Sequence, residues 1–283
     1  MTEHCAGKSG GLSAARLFRA ALAGFALCSA SAAAQASDML GATEAEIQDQ
    51  QRWRVIFSPY VWGASLNGTA GVLGYSTDVK MPFHEIFKNL DAGLMGNLEV
   101  TNGTFGVYVD GQYVKTSQDE DILDNELALQ VINTTLAAGA YYRVYEQELG
   151  GATLFGRPRV FAIEPTLGVR WTQIDAKVEV GPMTARRKVQ WTDPFIGARM
   201  IYDIDDRWNF AAEADIGGFG AGTDFSAHGQ AYLGYRTMIH DVPTMFRAGY
   251  RVLYQDYDGG DNVSDFKYRV TQHGPVVGLS ITF

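Results

Sequence analysis

The chain has 283 residues, a formal net charge of −9, 32 glycines and 12% aromatic residues. The acidic balance excludes nucleic acid as an expected partner, because a phosphate backbone selects clustered Lys and Arg. The two cysteines, Cys5 and Cys28, both fall in the leader described next, so the exported chain is expected to carry no disulfide and no thiol chemistry.

Arg16 and Arg19 precede the apolar run Ala20 to Leu27, and a small-residue segment ends in Ala34-Gln35-Ala36. A basic segment, a short apolar core and an A-x-A site are the parts of a secretory signal, so residues 1–36 are read as a leader cleaved after Ala36. Leu27 stands before Cys28 where a lipoprotein signal needs a small residue, which argues against acylation there. Residues 37–52 are largely polar and acidic and are read as a periplasmic lead-in. Beyond the leader no apolar stretch reaches the roughly 20 residues of a membrane-spanning helix.

Residues 53–283 read as one β domain with ten strand candidates. They run over about 53–66, 93–101, 104–116, 128–144, 159–180, 186–202, 207–217, 225–239, 244–256 and 266–283. Most exceed the mean strand of about 5–6 residues. They match or exceed the roughly 9–11 residues with which a tilted strand crosses a bilayer. Each alternates with period two. The fifth sets Phe161, Ile163, Pro165, Leu167, Val169 and Trp171 against Glu164, Thr166, Gly168, Arg170 and Thr172. The ninth sets Phe246, Ala248, Tyr250, Val252 and Tyr254 against Arg247, Gly249, Arg251 and Gln255.

Connections alternate in length. Asn102-Gly103, Asp203 to Asp206 and His240 to Thr244 are tight, and Asn-Gly is a strong hairpin signal. The stretches 67–92, 117–127, 181–185, 218–224 and 257–265 read as loops on the other side. The stretch 145–158 breaks the rule, being long on the tight side. Within the first loop, Phe83, Ile86, Phe87 and Leu90 share one face at helical spacing, which predicts a short helix. The run 70–81 would add two strands, giving twelve; merging weak candidates would give eight.

The fold expected is therefore an all-β, transmembrane, antiparallel up-and-down barrel of ten strands, with eight or twelve as alternatives. Aromatics near strand ends (Trp53, Trp62, Tyr113, Tyr142, Trp171, Tyr202, Trp208, Tyr254 and Phe283) read as interfacial girdles. The opposite face carries Glu99, Asp110, Glu164, Arg170, Arg199, Glu213, Asp215, Arg236, Arg247 and Arg251. Half are acidic and half basic, as a narrow lumen demands, since an unpaired buried charge costs several kcal/mol. The expectation is a charge-paired network that fills the lumen or leaves a narrow pore for small solutes.

The last strand sets Val277, Leu279, Ile281 and Phe283 against Val276, Gly278, Ser280 and Thr282. This ending resembles the terminal strand of Gram-negative outer-membrane barrels, and the resemblance implies an insertion signal read by the barrel assembly machinery. Ser58-Pro59-Tyr60-Val61-Trp62, Leu66-Asn67-Gly68-Thr69, Asp193 to Arg199, Gly217-Gly218-Phe219-Gly220, Asp224-Phe225, Tyr232 to Arg236 and His273-Gly274-Pro275 resemble segments of a family of mostly uncharacterised proteobacterial outer-membrane β-barrels. The resemblance spans most of residues 53–283. It implies outer-membrane location, with lipid and lipopolysaccharide as neighbours, and transfers no catalytic residue.

No enzyme is expected, nor any cofactor or metal. There is no G-x-S-x-G elbow and no H-E-x-x-H. Asp224, Ser226 and His228 alternate at a strand mouth, which would place a catalytic trio on one face in a rival reading as a lipid-modifying hydrolase. Asp256, Asp258, Asp261 and Asp265, and Asp119, Glu120, Asp121 and Asp124, form acidic loops without EF-hand spacing and read as solvated. A soluble periplasmic sandwich is the remaining rival.

Overall fold

The computed structural model describes residues 52–72, 75–122, 125–180, 183–259 and 266–283. The leader and residues 37–51 of the lead-in lie outside the described residues, as do Asp124, Asp261 and Asp265.

Thirteen strands form one sheet: β1 (Arg54–Trp62), β2 (Ser65–Val72), β3 (Tyr75–Met81), β4 (Leu90–Thr101), β5 (Phe105–Ile122), β6 (Asn125–Tyr142), β7 (Tyr145–Ala152), β8 (Pro158–Val180), β9 (Met183–Asp203), β10 (Trp208–Gly218), β11 (Phe225–Ile239), β12 (Val242–Asp258) and β13 (Phe266–Thr282). One helix, α1 (Phe83–Lys88), lies between β3 and β4. Ten of the strands close a ring in the order β1-β4-β5-β6-β8-β9-β10-β11-β12-β13, and β13 returns to β1. The closing register pairs Phe57 with Ile281 and Trp62 with Val276, and Val55 and Phe283 exchange both backbone hydrogen bonds. Every pairing is antiparallel. The protein is a closed ten-stranded transmembrane-type barrel, and a two-sheet sandwich is ruled out.

The three remaining strands extend barrel staves instead of adding new ones. β2 continues β1 along β13 in one register, with Leu66 opposite Gln272 as Trp62 is opposite Val276. The join at Gly63 passes so close to β13 that a Cβ on Gly274 would stand 1.9 Å from the Gly63 oxygen. β3 then folds back on β2, with Leu66 opposite Met81. The run 70–81 thus forms a projecting hairpin, and the staves number ten. β7 continues β6 along β8, pairing Tyr145 with Ile163. The long connection 145–158 is therefore a strand extension, and its turn falls at Thr153 to Arg157, where Thr153 N–H donates to the Arg157 oxygen.

Two expected loops are also strand. Residues 117–122 and 125–127 belong to the β5–β6 hairpin, and 183–185 belong to β9, paired with β8. Polar and acidic composition reads as loop, but a ladder that continues above the membrane needs no apolar face.

The short turns follow local chemistry. In the β4–β5 turn the Asn102 side-chain oxygen accepts Thr104 and Phe105 N–H at 3.0 and 2.8 Å, while Gly103 takes φ 92°. His240 and Asp241 both adopt left-handed backbone (φ 48° and 63°) between Ile239 and Val242, the geometry of a tight hairpin. These turns define a turn rim; the opposite end is the loop rim.

Apolar side chains face outward. Leu94, Leu167 and Val277 are 75%, 61% and 54% exposed, and polar partners in the alternation are buried. At the turn rim Trp53, Phe105, Tyr142, Tyr145, Tyr202 and Trp208 stand on the outside, several in ring contact. Trp62 departs from this girdle. It is 3% exposed and points into the lumen, because it sits five residues beyond outward Phe57, on the other parity of the strand.

Candidate functional site

The site is the lumen. The ten charges read as lumen-facing border two cavities of about 100 and 370 Å³. The smaller lies mid-barrel; the larger is a vestibule open at the turn rim, bordered by Asn102 to Thr104 and Arg157. Glu99, Arg199, Glu213, Tyr232 and Arg247 border both and form a waist.

The charges pair across strands. Arg170 Nη2 donates to both Asp215 oxygens at 2.9 Å, and Asp215 Oδ2 also lies 2.9 Å from His228 Nδ1. Arg199 reaches Glu99 at 3.2 Å and Glu164 at 3.4 Å, with its guanidinium 4.0 Å over the Tyr141 ring. Glu164 also takes Arg143 at 2.8 Å, and Arg236 pairs with Asp203. Arg251 donates to Tyr60 Oη at 2.9 Å, and Tyr60 in turn donates to Asp110 Oδ1 at 2.9 Å. Gln230 bridges the set, giving Nε2 to Glu213 and accepting Arg251 Nε. Buried charges survive desolvation only when paired and hydrogen-bonded in this way.

Two expected members behave differently. Glu213 takes the Gln230 amide, and Arg247 lies over the Tyr232 ring and donates to its hydroxyl at 3.2 Å. Sequence reading missed Arg54, Arg143, Asp203 and His228 and the tyrosines that tie the network. The parity of Tyr60 and Tyr141 was legible, but nothing in an isolated strand tells which tyrosine reaches a carboxylate two strands away.

Toward the loop rim an aromatic cluster fills the lumen, with buried Thr172 opposite Trp191 and accepting a hydrogen bond from Gln255. Trp191, Phe266, Tyr268 and Val270 pack together, with Leu66, Ile174, Val189 and Tyr257 against them. Trp191 stacks on Tyr257 at 4.5 Å between centroids. This plug crosses the lumen from β8 and β9 to β12, β13 and β2. Below it Trp62, Tyr60 and Leu253 form a second apolar cluster beside the mid-barrel cavity.

Glu213, Asp215 and His228 bring three metal-type donors within 4.8 Å of one another. Asp215 already takes Arg170 and His228, and the Arg170 cation beside the donors opposes a second cation. The Asp224, Ser226 and His228 trio is not assembled. Ser226 is fully buried, Asp224 is exposed before β11, and His228 turns to Asp215. The assembly-signal residues Val277, Leu279, Ile281 and Phe283 share the outward face, with Ser280 buried on the inner one.

No protein-family model matches the chain, and no curated protein matches it. Similar solved structures include the outer-membrane protease OmpT from Escherichia coli (9% identity, TM-score 0.44, covering 82% of this chain and 97% of that one). The attachment invasion locus protein Ail of Yersinia pestis (12%, TM-score 0.32, 82% and 98%) and Neisserial surface protein A (13%, TM-score 0.29, 82% and 97%) are others. Values this low transfer no activity to the present chain, whose architecture rests on its own strand pairing.

Proposed function

We propose that this protein is an outer-membrane barrel that serves the envelope structurally, with its lumen closed to diffusion. The observation that carries the reading is the aromatic plug around Trp191 and Tyr268, stacked in series with the ion-paired waist. An open pore requires a continuous aqueous path; here the lumen narrows to a cavity of about 100 Å³ below the aromatic cluster.

Outer-membrane placement is supported by the outward apolar face, the aromatic turn rim and the leader read in residues 1–36. The resemblance of the Ser58 to Trp62 and Asp193 to Arg199 segments to proteobacterial barrels points the same way. In this reading the partners are outer-membrane lipid and lipopolysaccharide, and the barrel assembly machinery engages Val277, Leu279, Ile281 and Phe283. No catalytic step is assigned to the lumen.

The test is single-channel recording of the purified protein in planar bilayers. Silence across physiological salt is expected. Steady unitary current in the wild type would overturn the closed-barrel reading and make the protein a narrow pore.

A further inference from the structure

Two arginines of the vestibule stand apart from its ion pairs. Six arginines border it, against Glu99, Glu146, Glu164, Asp203 and Glu213, with no lysine or histidine. Arg143, Arg199 and Arg236 are committed to Glu146, Glu164, Glu99 and Asp203. Arg54 and Arg247 have no carboxylate within ion-pair distance among the described residues.

These two arginines occupy the ends of the cavity. Arg54 is opposite Thr101, next to the β4–β5 turn at the mouth, and its Nε is buried with no hydrogen-bond partner. Arg247 is opposite Gly278, level with Tyr60, and forms part of the floor. Its guanidinium lies over Tyr232, 4.9 Å from the ring centroid, and gives one N–H to the hydroxyl, which leaves the remaining N–H groups for an acceptor in the cavity. Between them the wall is apolar at Ile56, Ile201 and Met245. The volume of about 370 Å³ falls in the range of small-molecule sites, roughly 300–1,000 Å³. The plug leaves one way in, from the turn rim.

We infer that the vestibule is a binding site for a small organic oxyanion, a carboxylate or phosphate monoester with an apolar body. Arg247 takes the anionic head through its planar fork, which matches two oxygens at once. Ile56, Ile201 and Met245 take the body. Arg54 draws the anion to the mouth.

The experiment is titration calorimetry of the detergent-solubilised full chain with phenyl phosphate, beside benzyl alcohol as a neutral probe of similar shape. Saturable one-site binding of phenyl phosphate is expected, with none for benzyl alcohol. Arg247→Gln should weaken it tenfold or more, and Arg247→Lys should fall between, keeping the charge and losing the fork. Arg54→Gln breaks no ion pair, so it tests the site even if the Arg247 variants fail to fold, and it should weaken binding several-fold. Arg269→Gln at the loop rim should leave binding unchanged. Absence of saturable binding in the wild type, equal binding of both probes, or unchanged affinity in a folded Arg247→Gln or Arg54→Gln protein would each overturn the inference.

Discussion

Thr223 donates its backbone N–H to Asp193 Oδ1 at 2.7 Å, and neither residue has any exposure. The bond joins β9 to the loop that follows Gly217-Gly218-Phe219-Gly220, two segments far apart in sequence. This segment takes left-handed backbone at Gly218, Phe219 and Gly220 (φ 91°, 51° and 73°), which the glycines adopt freely and Phe219 adopts at a cost. Asp193→Ala would leave a buried N–H without its acceptor, at about 1–3 kcal/mol. Asp193→Asn keeps an acceptor oxygen and should cost less. Guanidinium unfolding midpoints in detergent check the order; equal midpoints for wild type and Asp193→Ala would remove the structural role assigned to this pair.

Arg199 is the most heavily shared cation of the waist, held between Glu99 and Glu164. Arg199→Met would leave two buried carboxylates short of a partner, and breaking such a pair costs about 3–5 kcal/mol. Glu164 retains Arg143, so Glu99 carries more of the penalty. Arg199→Met/Glu99→Gln should therefore recover part of the stability lost in the single variant. Strict additivity in that double-mutant cycle would mean that the charges do not interact.

How much of this was legible beforehand follows from what period two can encode. Alternation put Leu167 and Glu164 on opposite faces and gave the ten staves, and the aromatic girdle, the balanced charges and the leader assigned Leu167 outward and Glu164 inward. It could not separate a stave from its extension. β2 and β7 carry no outward apolar row of their own, and their pairing partners in β13 and β8 lie far along the chain. Trp62 reads as a girdle residue by its aromatic character near a strand end, but its parity turns it into the lumen. The lumen charges were legible as a balanced set, but their pairing depends on barrel curvature, which no single strand records. The plug was illegible for the same reason: Tyr257 and Tyr268 are opposed on neighbouring strands, but Trp191 meets them only across the closed ring.

Asp205 gives a pH dependence whose sign is fixed by its contacts. In the β9–β10 turn its carboxylate accepts Trp208 and Arg207 N–H at 2.6 and 2.8 Å, and these two bonds hold its pKa below the usual carboxylate range. A lowered folded pKa stabilises the fold above the unfolded value of about 3.9, and that contribution disappears as pH falls through the folded pKa. Asp205→Asn cannot titrate, so its unfolding midpoint should decline less than the wild type's between pH 5 and about 2. Parallel declines would show that the turn carboxylate makes no difference.

Phe283 separates assembly from stability. Its ring is 70% exposed on the outer face, while its backbone closes the barrel with Val55. Phe283→Ser leaves those backbone bonds in place, so refolded protein should unfold within about 0.5 kcal/mol of wild type, as surface substitutions do. In cells the same variant should reach the outer membrane at reduced levels, because the apolar row Val277, Leu279, Ile281, Phe283 has lost its end. Normal membrane levels would count against a role for this row in assembly.

The plug and the waist lie in series along one lumen, which makes their removal non-additive. Arg247→Ala/Arg251→Ala enlarges the middle of the barrel but leaves Trp191 stacked on Tyr257 above it. Trp191→Ala/Tyr268→Ala thins the plug but leaves Arg199 and Arg170 paired below. Two resistances in series conduct only when both fall, so each double variant should stay silent in planar bilayers, and the quadruple variant should leak. A leak from the arginine variant alone would show that the aromatic cluster does not seal, and the charged waist would then be the barrier. A leak from the aromatic variant alone would mean the reverse, with water and ions passing freely between Glu99 and Arg247 once the loop end is open.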